Sequence, residues 1–132
     1  MRSKNLSFEE ILVGDSASFE RTISEKDVHD FAQLSGDRNP LHLSKSYAKK
    51  TKFGRRIVQG MLLGSFCSAL IVMHLTGKRS LYLRQTFSFR KFVSVGDTIT
   101  VEGKVKSKSL SAKIVNVTIS IKKDDGVRVD RS

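Results

Sequence analysis

An α+β fold, with an antiparallel sheet wrapped around one long central helix, is what two patterns in this chain of 132 residues predict. One is an apolar run over 60–75 that, wound as a helix, is apolar nearly all round and so demands enclosure on most sides. The other is a set of three later segments in which apolar and polar residues alternate, the period of a strand with one dry face and one wet one. An enclosed helix and a half-buried sheet are both satisfied when the sheet wraps the helix.

Taken in order, residues 11–23 turn at Val13-Gly14-Asp15 and then read as a strand over 18–23. Ser24-Glu25-Lys26-Asp27 has the spacing of a capping box, with Ser24 accepting from the first turn and Asp27 reaching back. Val28, Phe31 and Ala32 recur at helical spacing, Gly36 stops that helix, and His29 falls on its exposed side. Residues 44–50 suggest a short helix with Tyr47 and Ala48 as packing residues, and 53–58 an irregular link. Gly60 opens the long helix over 61–75 and Gly77 ends it. Leu81, Leu83, Phe87 and Phe89 then alternate with Tyr82, Arg84, Thr86 and Ser88. Ile99, Val101 and Val105 do so with Thr100, Glu102 and Lys104. Val115, Val117, Ile119 and Ile121 form the cleanest two-residue period. No repeat or low-complexity segment intervenes, and the length suits one domain over 1–132.

Composition narrows the class. A hydrophobic content of 39% with 28% charged residues describes a globular chain with a real core. The single cysteine, Cys67, lies in the apolar run, so a buried thiol in a reducing compartment is expected and an internal disulfide is excluded. No Cys/His cluster has metal-ligand spacing and no phosphate-binding Gly motif appears, so neither metal nor cofactor is expected. The N-terminus lacks the apolar core of a secretion signal, and the run over 60–75 is shorter than the ~20 residues that span a bilayer. A cytoplasmic protein with no membrane partner is the expectation. Lys and Arg number 24 against 13 acids, a net charge of +11 that attracts polyanions in general. Lys45, Lys49, Lys50, Lys52, Arg55 and Arg56 fall in one acid-free stretch, which reads first as a solvated face and second as a site for phosphates or an acidic carrier.

The chemistry is concentrated in Ser35-Gly36-Asp37-Arg38-Asn39-Pro40-Leu41-His42. Pro40 keeps Asn39 out of the helical region, so the segment is read as a bent loop able to turn Asp37 and His42 toward one point. A carboxylate and an imidazole converging on one water suit hydration chemistry. A capped turn with a core histidine is the plainer alternative.

This segment, with Phe31-x-x-Leu34 before it and Ala48 after it, resembles the hydratase-2 signature of the MaoC-like family of (R)-specific enoyl-CoA hydratases and acyl-thioester dehydratases. The likeness continues through Phe53-Gly54-Arg55-Arg56-Ile57-Val58-Gln59-Gly60-Met61 and, more loosely, through Tyr82-Leu83-x-Gln85-x-Phe87-x-Phe89 and Val95-Gly96-Asp97. The resemblance implies the hot-dog fold, a homodimer, and reversible hydration of a trans-2-enoyl thioester carried by coenzyme A or an acyl carrier protein. It implies Asp37 as general base, with His42 orienting the same water and sharing proton transfer. It places the oxyanion donor at the Gly60 N–H, which suits a helix start where that amide has no intrahelical partner. Asn39 would shape the loop and Ser68 would support Asp37, although a serine on an apolar helix more often bonds back, here to Gly64. Ile71 would line the acyl pocket, and Lys52, Arg55 and Arg56 would face the carrier's phosphates. Two departures stand out. Gln59 replaces the family's usual His and cannot titrate, and the last strand, from Val127-Arg128-Val129, is short and polar.

Two other functions are weighed. A non-catalytic acyl-thioester binding module has no use for an acid/base pair in a bent loop. A nucleic-acid binder would want a basic recognition helix or an aromatic-rich basic strand, and neither appears, so no nucleic-acid partner is expected.

Overall fold

A computed structural model describes residues 3–124 and the backbone of Arg128–Arg131. In chain order the elements are β1 (Ser16–Thr22), α1 (Glu25–Ser35), α2 (Pro40–Leu43), α3 (Lys45–Lys49), α4 (Gly60–Ala69), β2 (Thr98–Ser109), β3 (Ile114–Lys123) and β4 (Arg128–Arg131). The long helix runs to Leu75 as expected, but Leu70–Leu75 is wound as a π-helix. The Thr76 and Gly77 amides both donate to the Ile71 carbonyl, at 3.0 and 3.1 Å. Gly77 ends the helix at φ 94°, and a side chain there would strike the Lys4 carbonyl at 2.6 Å, so glycine is needed twice over.

The capping box forms as read: the Asp27 amide donates to Ser24 Oγ at 3.1 Å and the Ser24 amide to Asp27 Oδ2 at 3.0 Å. Val28 and Ala32 are buried and His29 is exposed. In α3 only Ala48 packs. Tyr47 is half-exposed, because a helix of five residues has room for one inward position.

The sheet is antiparallel in the order β1-β2-β3-β4, with Phe19 opposite Val101 and Val101 opposite Ile121. Its dry face carries Ile99, Val101, Val105, Ile119 and Ile121, all but excluded from water. Gly103 sits among them. A Cβ there would come within 2.8 Å of Leu70 and 3.3 Å of Leu75, so the missing side chain lets the helix settle onto the sheet. The last strand is present as β4, paired with β3 as Ser120↔Arg131 and Lys122↔Arg128; Val127 lies outside the described residues.

One expectation about the strands needs correction. Residues 81–88 form no strand. Phe87 and Phe89 stack with ring centroids 5.5 Å apart and lie along α4, their ring atoms 3.0 and 3.1 Å from where side chains on Gly64 and Gly60 would begin. While Leu81 and Leu83 are left exposed, Phe87 and Phe89 thus rest against the helix. Tyr82 follows the same path, and burial, then the Cys67 thiol, pushes its phenol up to about 12. The helix is enclosed on most sides, as expected, with one open face: Met61, Ser65 and Ser68 point outward, and Met61 is 60% exposed. These positions recur at i, i+4 and i+7, so they form one face, and its two serines tolerate water.

Candidate active site

The loop that carries Asp37 and His42 is shaped by bonds among near neighbours. Gly36 closes α1 at φ 82°, its amide donating to the Ala32 carbonyl at 2.9 Å. The Asp37 amide donates to Ser35 Oγ at 3.1 Å, and the Asn39 amide to Asp37 Oδ1 at 3.3 Å, an Asx turn that ties down one carboxylate oxygen. Asn39 caps α2, its Oδ1 accepting from the Leu41 amide at 3.0 Å. Pro40 stands in the first turn, where its missing N–H costs nothing and its φ suits a helix. The bend therefore lies at 37–39, and Pro40 starts a helical turn where a continuous loop was expected.

That turn aims His42 inward. Its Nδ1 lies 2.8 Å from the Ile57 carbonyl, and because a carbonyl only accepts, Nδ1 carries the proton. In the neutral ring the lone pair is then on Nε2, which faces Asp37 Oδ2 at 3.9 Å. The gap is too long for a direct hydrogen bond. A water bonded to both at about 2.8 Å would sit at the apex of a triangle on that base. The His42 side chain is 11% exposed and that of Asp37 50%, so the pair is walled on the imidazole side and open on the carboxylate side.

Ile57 joins this loop to the start of α4, since its amide also donates to the Leu41 carbonyl at 3.3 Å. Three residues later comes Gly60, the first residue of α4, half-buried beneath the edge of Phe89. The Leu62 and Leu63 amides both turn back to the Gln59 carbonyl, and the amides of Gly60 and Met61 precede any carbonyl the helix can offer them. The helix dipole adds partial positive charge at that end.

The other expected site residues scatter. Gln59 is 2% exposed and donates through Nε2 to the Val28 carbonyl at 3.0 Å, bracing α4 against α1, while its Oε1 is buried without a partner among the described residues. Ser68 is exposed and bonds neither Asp37 nor the Gly64 carbonyl. Arg56 is buried and committed to Glu25, whose carboxyl it holds below its ordinary range, with Lys45 assisting. Lys52 and Arg55 are exposed. Ile71 lines a cleft of about 680 Å³ with Val72, Val115, Val117 and Ile119. None of Asp37, His42 or Gly60 lines that cleft. Among the described residues no group of three or more His, Cys, Asp and Glu converges as a metal set, and no helix is long and apolar enough to cross a membrane.

Sequence reasoning missed the Ile57 carbonyl, a backbone group with no signature of its own. It also missed Phe89 over Gly60, for which the four-residue spacing of Gly60 and Gly64 opposite an alternating Phe pair was the available signal.

With this geometry in view, the comparisons are informative. A family model described as a MaoC-like domain matches residues 11–127. An (R)-specific enoyl-CoA hydratase of Rhodospirillum rubrum is 45% identical over 93 residues, 70% of this chain and 65% of its own length, so the chain spans just under two thirds of that relative. An (R)-specific enoyl-CoA hydratase of Aeromonas caviae is 40% identical over 116 residues, 88% of this chain and 87% of its own. The solved structure of the A. caviae (R)-hydratase involved in PHA biosynthesis superposes with a TM-score of 0.91 at 38% identity, covering 93% of each chain. Matched along most of its length in both sequence and shape, this chain belongs to the MaoC-like domain family and has the hot-dog fold.

Proposed function

We propose that the protein catalyses reversible hydration of a trans-2-enoyl thioester to the (R)-3-hydroxyacyl thioester, a hydro-lyase reaction. The observation that carries this reading is the 3.9 Å approach of Asp37 Oδ2 to His42 Nε2, with the His42 tautomer held by the Ile57 carbonyl. Asp37 takes a proton as the shared water attacks C3, forming the C–O bond and moving the double-bond electrons toward the thioester oxygen. The Gly60 amide at the positive end of α4 stabilises that oxygen; removing a comparable donor in other enzymes costs roughly 3 kcal/mol of barrier. Return of a proton to C2, shared between Asp37 and His42, completes the addition with no net change in either group.

The relatives, (R)-specific enoyl-CoA hydratases and a 3-hydroxybutyryl-CoA dehydratase, support the substrate class. The half-exposed carboxylate supports a homodimer, since a water-activating pair gains from cover that this one chain does not supply. The test is loss of the enoyl-thioester absorbance of crotonyl-CoA with wild type, Asp37→Asn and His42→Ala. Each variant should lose about 10²- to 10⁴-fold in kcat with its fold intact. Equal rates in all three would refute the assignment.

A further inference from the structure

We infer that the surface around Phe53 and Phe92 docks an acidic protein, the carrier that presents the acyl thioester; this rests on the hydratase reading above. Between Asp37 and Asp97 the chain contains no acidic residue, yet half of its 24 lysines and arginines lie there, from Arg38 to Lys91. The fold gathers many of them. Residues 56–58 run antiparallel to 93–95: the Val58 amide donates to the Val93 carbonyl at 2.7 Å and the Val95 amide to the Arg56 carbonyl at 3.1 Å. Phe53 and Phe92, from the two segments so paired, meet edge to face with centroids 5.1 Å apart. The ring contact joins two segments that each carry exposed cations, Lys52 and Arg55 around Phe53 and Arg90 and Lys91 just before Phe92, with exposed Lys50 close to Phe53 in sequence. Lys52 and Lys123 lie 5.4 and 5.1 Å from the two rings. Glu25 is bound to buried Arg56 and reaches Lys45 at 3.9 Å, and Asp97 caps the Ser94 amide and reaches Lys123 at 4.0 Å; among the described residues no carboxylate is ion-paired with Lys50, Lys52, Arg55, Arg90 or Lys91.

The same strip holds the Ile57 carbonyl that positions His42, which puts this basic plateau beside the dyad. Its shape selects the partner. None of its residues lines the cleft beside the helix or the one on the outer face of β1 and β2, and Phe92 is 41% exposed. An open plateau of long cationic side chains around an aromatic centre fits an extended acidic surface rather than a single nucleotide. Such charges act mainly on association rate and salt dependence.

The experiment titrates a fluorescently labelled acidic acyl carrier protein with wild type and with Lys50→Glu/Lys91→Glu at low and high salt. Initial rates are read on one enoyl group borne by that carrier, by coenzyme A and by pantetheine. The double reversal should raise the carrier Kd and the carrier-linked KM by about tenfold. Rates on pantetheine and thermal unfolding should stay unchanged, and wild-type affinity should fall as salt rises. Lys50→Gln/Lys91→Gln, which adds no repulsion, should fall between. A carrier Kd indifferent to both variants and to salt overturns the proposal. So does a KM for coenzyme A that rises as far as the carrier's, or a random DNA duplex that binds wild type more tightly than the carrier does. Wild type inert on all three thioesters would refute the hydratase reading alone, with the carrier titration still deciding the docking surface.

Discussion

Residues 35–42 and residues 78–92 hold their shapes by opposite means. In the first, the bonds that shape the bend join residues two to four apart, and two longer ones, from His42 to the Ile57 carbonyl and from the Ile57 amide to the Leu41 carbonyl, anchor the result. In the second, two phenylalanine rings settle on two glycines of a helix more than twenty positions earlier, and Leu81 and Leu83 are left 82% and 71% exposed. The contrast teaches that the Asp37/His42 pair rests mainly on local bonds that survive change elsewhere, whereas the aromatic segment rests on surface complementarity that a single methyl group can disturb.

The first way to sharpen this contrast has the largest expected effect. Asp37→Asn should lower kcat for crotonyl-CoA hydration by about 10³-fold while leaving the urea midpoint nearly unmoved, because the carboxylate is half-exposed and its turn survives in Asn. A large stability loss would mean that the loop is not self-sufficient. Next comes Gly103→Ala, whose new methyl meets buried Leu70 at 2.8 Å; urea unfolding should report a loss of about 1–3 kcal/mol. Gly64→Ala meets the partly buried Phe87 ring at a looser 3.0 Å and should cost less than Gly103→Ala in the same measurement. Asn39→Ala removes the α2 cap and should cost about 1 kcal/mol, with a measurable fall in kcat as the turn bearing His42 loosens.

Smaller still, Leu83→Ser should fall within about 0.5 kcal/mol of wild type. A loss of about 2 kcal/mol or more would show that this segment is buried as a strand, and the comparison would fail. The last test concerns acid. Glu25 has its folded-state pKa lowered from 4.5 by Arg56, so the unfolded chain binds a proton first as pH falls. The pair's contribution is therefore complete above that value and is lost on acidification through the lower folded one. Glu25→Gln should flatten the acid limb of stability against pH, and an unchanged limb would remove the pair from the account.

How much of this was legible follows the same divide. The capping box, the Gly36 stop, the dry face of β3 and the bend that turns Asp37 toward His42 were readable because each depends on residues a few positions apart. The π-helical end of α4 was not, since Leu70–Leu75 carries no pattern that separates it from an ordinary turn. The path of 81–88 was misread because alternation specifies a dry face without naming what dries it. Arg56 and Gln59 sit beside Gly60 in the chain, but their partners Glu25 and Val28 lie thirty-one positions away, and no spacing rule reveals that.

The central claim is that one water is shared by two groups, and a double-variant cycle tests it most directly. Steady-state hydration of crotonyl-CoA would be measured for Asp37→Asn, His42→Ala and the two combined. Groups that act as a unit are strongly non-additive, so the combined variant should be no more than about threefold slower than the worse single. Losses that multiply would show two independent roles and contradict the shared water.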